Sequence, residues 1–172
     1  MPSRVQALRQ SFEENGLDGY LVADGTNIFY FTNAVGATRL LIPAEGENIL
    51  YVGGVNYEAA KAEAKDCRVE LVKWSEDTDE KVAQQARKLR MKRVGFDALE
   101  ASMYLKLKRA MRGAKLEALS QLVWDLRRVK DETELGYMRK AAEITDKGAE
   151  AALEAIKLGA REYEVAAEIE YT

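Results

Sequence analysis

Histidine is absent from this sequence of 172 residues, which also contains a single cysteine, Cys67, and only two prolines. Without histidine the chain cannot form a Ser-His-Asp triad, a Cys-His pair or a histidine-ligated zinc site. One cysteine excludes a disulfide framework and thiolate metal clusters within the chain. Long apolar runs are missing too, since none approaches the roughly 18 residues that span a bilayer. With no secretory signal pattern at the N-terminus, these absences predict a cytoplasmic protein without a membrane span.

Charge is nearly balanced overall but unevenly distributed along the chain. Lys and Arg number 26 against 29 Asp and Glu, and the net charge of −3 gives no reason to expect a nucleic-acid partner. Eleven acidic and five basic residues lie in 131–172, whereas the preceding part is basic. Apolar runs with turns give way to Ala/Glu-rich sequence at the same place. We therefore predict two regions, 1–127 and 128–172.

Hydrophobic periodicity in the first region predicts alternating helices and strands. Helical spacing occurs over 3–15, 55–65, 79–89 and 102–111. Short apolar or alternating runs predict six strands, over 19–23, 38–42, 49–52, 69–74, 93–96 and 115–119. The aromatic run 27–31 is ambiguous, although Thr26 or Asn27 as an N-cap would favour a short helix. A turn between the second and third strands indicates a hairpin, so the predicted fold is α/β: a three-layer domain with a mixed, about six-stranded sheet.

The second region is predicted to contain two amphipathic helices. An apolar stripe predicts a long helix from Asp131 to about Leu158. Another helix begins at Glu162 and reaches Thr172 without any of the signals that end a helix. Because both apolar stripes lack a partner to bury them, we expect the front part of a longer protein, with the second helix truncated. The alternative is a C-terminal helical hairpin that packs on the sheet domain.

Three segments, in order, resemble one known family. They read GLDGYLV at 16–22, DGTNIFYFTN at 24–33 and LRRVKDETEL at 126–135. Together they are similar to the Xaa-Pro peptidase family of prolidases, proline aminopeptidases and creatinases. The resemblance implies a creatinase/prolidase-type N-terminal α/β domain over 1–127. It also implies that 128–172 is the linker and the first helices of an incomplete pita-bread catalytic domain.

The resemblance also implies an activity for the parent protein. Peptidases of this family hydrolyse the bond before proline with two divalent metal ions, such as manganese, cobalt or zinc, held by two Asp, one His and two Glu. All five ligands lie in the pita-bread domain, of which this chain would hold only the start. No catalytic residue or metal ligand is therefore predicted here, and this chain alone is expected not to hydrolyse peptides. The parent would be a homodimer that acts on short proline-containing peptides.

One loop is the candidate functional element of the first region. In the family, the N-terminal domain contributes to the dimer contact and lends a loop to the partner's active-site mouth. The matching residues here are Tyr30, Asn33, Gly36 and Arg39, and Arg39 would meet a substrate carboxylate. The alternative is an ordinary surface loop in which Arg39 is solvated.

Two other functions remain open from the sequence. The chain would alternatively be a stand-alone, non-catalytic module that binds a peptide or protein, or its parent would be of the creatinase type.

Smaller features receive simpler interpretations. The acidic segment 75–80 fits a helix N-terminus better than a cation site, and basic clusters at 88–93 and 106–112 fit solvated faces. Trp74 and Trp124 are expected as core or interdomain anchors. Cys67 is expected at a half-buried strand edge and not as a nucleophile.

Overall fold

The structure, a computed structural model, describes residues 3–172. Six strands occupy Gly19–Val22 (β1), Ala37–Pro43 (β2), Ile49–Gly53 (β3), Arg68–Val72 (β4), Arg93–Phe96 (β5) and Lys115–Ala118 (β6). The helices of the first part are Arg4–Asn15 (α1), Gly25–Thr32 (α2), Tyr57–Glu63 (α3), Thr78–Lys88 (α4), Ala101–Ala110 (α5) and Ser120–Arg128 (α6). A 3-10 turn, Gly54–Asn56, precedes α3. Two further helices follow, Glu132–Ala155 (α7) and Glu162–Tyr171 (α8).

All six strands form one mixed sheet in the order β4-β3-β2-β1-β5-β6. The hairpin strand β2 runs antiparallel to both of its neighbours, β1 and β3, whereas the other three pairs are parallel. A register shift interrupts the pairing of β2 with β3 between Ala37 and Arg39. This architecture confirms the α/β fold predicted from the sequence.

Side chains alternate between the two faces of the sheet, and each face has its own core. Tyr20, Leu40 and Leu50 point to the face covered by α1, α2, α3 and α6. Leu21, Leu41 and Tyr51, the next residues along the same strands, point to the face covered by α4 and α5. The alternation follows from the two-residue period of a strand, and the three layers result from burying both faces.

Capping residues fix where the helices begin. Ser3 caps α1 in a capping box, and Gly16 ends that helix in the left-handed conformation at φ 60°. From the sequence, Thr26 or Asn27 would cap α2 and Ser75 or Thr78 would cap α4, and both predictions are wrong. Asp24 and not Thr26 or Asn27 caps α2, and Asp77 caps α4. Aspartate is favoured here because its carboxylate accepts from the first free backbone N–H groups.

Helix α6 was missed in the sequence analysis, which predicted no element between the last strand and Asp131. Val123 is buried on this helix, and Leu122 and Leu126 pack against the same core. Their spacing of three and four residues is the helical signal that was present. The helix matters because it ends the first of two compact units, Met1–Arg128 and Val129–Thr172.

The second unit consists of α7 and α8. Asp131 caps α7 in a capping box with Glu134. The helix ends at Ala155, about three residues before the predicted Leu158. None of the residues described in this unit is buried, and Ile169 of α8 approaches Gly148 of α7. Apolar side chains such as Met138, Leu153 and Ile156 are exposed.

Candidate gating loop and the carboxyl edge of the sheet

The loop that connects α2 to β2 lies at the edge of the sheet where β1 ends. Asn33 ends α2 in the left-handed conformation at φ 62°, with its N–H donating to the carbonyl of Phe29. Asparagine tolerates this conformation better than most residues. Val35 and Gly36 form the exposed tip, with Val35 66% exposed. Two predicted residues, Asn33 and Gly36, therefore belong to the loop itself.

Gly36 holds the tip in a conformation that requires glycine. Its φ is +74°, and a Cβ added there would lie 2.3 Å from Nδ2 of Asn56. That same amide donates to the carbonyl oxygen of Gly36 at 3.2 Å. The tip is thus hydrogen-bonded to the 3-10 turn after β3, in which Val55 is exposed.

Arg39 is buried and ion-paired, so the alternative in which it is solvated was wrong. Only 9% of the residue is exposed. Its Nε donates to Oδ1 of Asp79 at 3.0 Å, and Nη1 donates to the carbonyl of Thr38. Asp79 is also buried, in the first turn of α4. Single sequences do not reveal this pair because its members lie 40 residues apart.

Tyr30 lies on the opposite face of the sheet from Arg39. Its ring is 4.2 Å from the guanidinium carbon of Arg4, and its carbonyl accepts from the same side chain at 2.7 Å. The guanidinium carbon of Arg127, on α6, lies 6.0 Å from the centre of the same ring, and its Nη1 donates to Oδ1 of Asn27. The four predicted residues therefore do not converge on one site: two form the tip, and two flank it on opposite faces.

Asp97 is a structurally central residue that the sequence analysis missed. It directly follows β5 and accepts hydrogen bonds from the N–H groups of Ala23, Asp24 and Ala98 and from Nδ2 of Asn27, at 2.7–3.3 Å. The residue is 7% exposed. It joins the carboxyl ends of β1 and β5. An aspartate immediately after a short buried strand was the available signal.

Cys67 has the surroundings of a structural thiol. It lies half-buried just before β4. Burial, with smaller contributions from Asp66 and Glu47, raises its pKa to about 11. A thiol with a raised pKa carries little of the thiolate that acts as nucleophile or metal ligand. The sequence-based interpretation of Cys67 as half-buried agrees with this environment.

The two tryptophans do not have the core environment that was one of their two predicted roles. Trp74 is fully exposed after β4, and Trp124 is 60% exposed on α6. Neither is a core residue. Both tryptophans lie next to apolar segments of the sequence, but their side chains are exposed to solvent.

Residues 3–172 contain neither a cluster of metal-ligating side chains nor a helix suited to span a bilayer. Among them, no group of three His, Cys, Asp or Glu side chains could hold a metal ion. The acidic segment before α4 supplies the cap Asp77, and Lys106 forms an ion pair with that carboxylate. No helix in the same range has the length and apolarity needed to cross a bilayer.

A mixed six-stranded sheet with helices on both faces, extended by a long helix, defines an α/β domain of the prolidase N-terminal type. The model of the creatinase/prolidase N-terminal domain matches residues 4–129. The chain belongs to this family, which confirms the resemblance seen in its motifs.

Relatives of known class align over nearly the whole chain. Xaa-Pro dipeptidases of Pyrococcus furiosus and Lactobacillus delbrueckii subsp. lactis are each 31% identical, over 99% and 97% of this chain. The chain spans about half the length of these relatives, 48% of each.

Solved structures give the same correspondence. The Xaa-Pro dipeptidase from Bacillus anthracis matches with a TM-score of 0.81 and 30% identity, over 97% of this chain and 47% of that chain. The prolidase from Pyrococcus furiosus matches with a TM-score of 0.82, 30% identity and coverage of 98% and 51%. A proline dipeptidase chain from Streptococcus pneumoniae, 25% identical with a TM-score of 0.67, is covered completely by 75% of this chain.

Proposed function

We propose that this chain is the N-terminal portion of an Xaa-Pro dipeptidase-type metallopeptidase that hydrolyses the Xaa-Pro bond of short peptides. The observation that carries the proposal is the alignment with Xaa-Pro dipeptidases over 99% of this chain but 48% of the relative. The aligned half includes α7 and α8, beyond the region that the family model matches. Activity would therefore reside in residues that follow Thr172 in the parent.

The metal ions of the parent would bind outside this chain. The family's set of two Asp, one His and two Glu cannot be assembled from residues 3–172, because the chain has no histidine and no fitting acidic cluster. Divalent ions would supply an activated water for peptide hydrolysis in the parent. This chain would contribute no metal ligand and would act on the access of substrate to the parent's active site.

That contribution is gating of a substrate passage by the loop of Asn33, Val35 and Gly36. The tip is exposed, yet both of its flanks are fixed, by Arg39 on one side and Tyr30 on the other. An exposed apolar residue on a loop with rigid flanks suits contact with a partner surface. We propose that the partner is a second copy of the parent, in the cytoplasm, and that the loop restricts entry to short peptides.

The first experiment reads the gene beyond Thr172 and assays the encoded protein. We expect an Asp, Asp, His, Glu, Glu set and hydrolysis of an Xaa-Pro dipeptide that requires added Mn²⁺ or Co²⁺. A reading frame without that set would refute the metallopeptidase and favour the non-catalytic binding module. Hydrolysis of creatine in place of dipeptides would identify the creatinase type.

The second experiment tests gating separately from activity. In the active parent, Val35→Lys places a charge at the loop tip, and we expect it to change the ratio of kcat/KM for a dipeptide and a longer peptide by about tenfold, or about 1.4 kcal/mol. Leu89→Lys, at an exposed apolar position at the end of α4, is the matched control. Equal ratios in both variants would refute gating and leave the assignment of the enzyme class intact.

A further inference from the structure

The sheet has a topological switch point between β1 and β5. These two strands are parallel neighbours, so their carboxyl ends lie side by side. After β1 the chain enters α2 on one face of the sheet, and after β5 it enters α5 on the other. Connections that diverge in this way leave a crevice outside the strand ends, which is where open α/β sheets bind ligands.

A solvent-open cavity of about 670 Å³ occupies this place. Its apolar lining comes from Phe96, Leu99 and Met103, and its polar lining includes Asp24, Arg39 and Glu100. Small-molecule sites have this size and this combination of apolar walls with a few charged groups. The cavity lies wholly within the first unit.

Arg39, in the lining of the cavity, can take a carboxylate. Arg39 is nine-tenths buried, and the only acceptor that its Nη2 contacts among the described residues is the thioether sulfur of Met103, at 3.1 Å. Thioether sulfur is a weak acceptor, so this end of the guanidinium keeps its capacity to bind an anion. Met103 belongs to the first turn of α5, a helix of ten residues whose N-cap, Glu100, forms no side-chain cap bond. The free N–H groups of this turn add positive potential beside Arg39.

Asp24, which also lines the cavity, can take an ammonium group. Asp24 receives the N–H of Asn27 on Oδ1, and no described residue donates to its Oδ2. Asp97 already accepts four hydrogen bonds, which leaves Asp24 and the rim residue Glu100 as the carboxylates available to a ligand. No group of three acidic side chains in residues 3–172 suits a metal ion. An organic cation therefore fits Asp24 better than a divalent ion.

We propose that this crevice binds a zwitterionic amino acid or short peptide with an apolar side chain. The ligand's carboxylate lies against Nη2 of Arg39 and the first turn of α5. Its ammonium group lies against Oδ2 of Asp24. Its side chain contacts Phe96 and Met103. The proposal uses residues of the first unit only and does not depend on the function proposed for the parent.

Calorimetric titration of the 172-residue chain with four probes tests the charge requirement. The probes are leucine, the dipeptide Leu-Pro, N-acetyl-leucine and leucinamide. We expect leucine or Leu-Pro to bind, and each blocked analogue to bind at least about tenfold more weakly, because it lacks one of the two charges. Whichever of leucine and Leu-Pro binds more tightly shows whether the ligand is an amino acid or a peptide. No binding of any probe at about 10 mM, or equal binding of all four, would overturn the proposal.

Two variants localise the binding. Asp24→Asn removes the charge but retains a good N-cap, so it preserves α2, and we expect about tenfold weaker binding of the zwitterion with N-acetyl-leucine unaffected. Glu45→Gln, in the exposed hairpin turn, is the matched control. The methyl signal of Met103, assigned through Met103→Leu, should shift on titration. Equal affinity in Asp24→Asn and Glu45→Gln, or an unmoved Met103 signal, would overturn the site.

Discussion

Replacing Asp97 by alanine should destabilise the first unit more than any surface substitution of the same chemistry. The carboxylate accepts three backbone N–H groups, those of Ala23, Asp24 and Ala98, and one side-chain amide, that of Asn27. Its removal leaves these donors without an acceptor at a site that is 7% exposed. The loss therefore acts on the ends of two adjacent strands at once.

The magnitude follows from the cost of unsatisfied donors. Each buried donor that loses its acceptor costs about 1–3 kcal/mol. Water from the adjoining cavity can reach some of them, and the exposed Ala98 amide costs least. We therefore expect Asp97→Ala to lower the free energy of unfolding by about 3–5 kcal/mol. Asp97→Asn retains the shape and one acceptor oxygen, and should cost about 2–3 kcal/mol.

Urea unfolding followed by far-ultraviolet circular dichroism measures these differences. Asp18→Ala is the matched control, because Oδ2 of Asp18 accepts the N–H groups of Lys92 and Arg93 at 2.7 and 2.8 Å in an exposed position. Solvent replaces those bonds, so the control should cost about 1 kcal/mol. If Asp97→Ala is insoluble, Asp97→Asn provides the comparison. A cost for either Asp97 variant no larger than that of Asp18→Ala would refute the central role of Asp97.

Three further predictions concern buried charge, backbone conformation and thiol chemistry. Arg39→Met should lower the free energy of unfolding, measured in urea, by about 3–5 kcal/mol because it leaves Asp79 buried and unpaired. Adding Asp79→Leu to this variant should recover most of the loss. A double variant no more stable than Arg39→Met would contradict the ion-pair argument. Gly36→Ala should lower the free energy of unfolding by about 1 kcal/mol more than Gly113→Ala. Both glycines have a positive φ, but only a Cβ at Gly36 would meet a neighbouring side chain. Equal losses of stability would refute the importance of that contact. Burial raises the pKa of Cys67 to about 11 from 9.0. At pH 8 the native chain should therefore react with a disulfide reagent about a hundredfold more slowly than the chain unfolded in urea. Equal rates in the two states would refute burial as the cause.

Local patterns in the sequence were sufficient for most of the sheet and its helices. Strand β5 was predicted with its observed bounds, and the hairpin of β2 and β3 followed from its turn. Helix caps were less certain because Asp, Ser, Thr and Asn compete for the position. At α2 and α4 an aspartate provides the cap although other capping residues lie within two or three positions. Helix α6 was not predicted because the boundary between the two regions was placed within the same segment.

The site was less accessible to sequence reasoning than the fold, because its contacts join distant residues. Arg39 reaches Asp79 on α4, and Asp97 reaches the end of β1, 73 and 74 residues earlier in the chain. Such pairs depend on strand order, which periodicity alone does not provide.

The motifs that carry the family resemblance owe their residues to the fold. Asn27, from the second motif, donates to Asp97 through Nδ2 and accepts from Arg127, of the third motif, through Oδ1 at 2.6 Å. Asp24 caps the helix that presents Asn27. Asn27 thus links Asp97, at the end of β5, to Arg127, on α6, through hydrogen bonds of its side-chain amide. A likeness in these motifs therefore predicts the domain architecture strongly, and it does not by itself predict an activity.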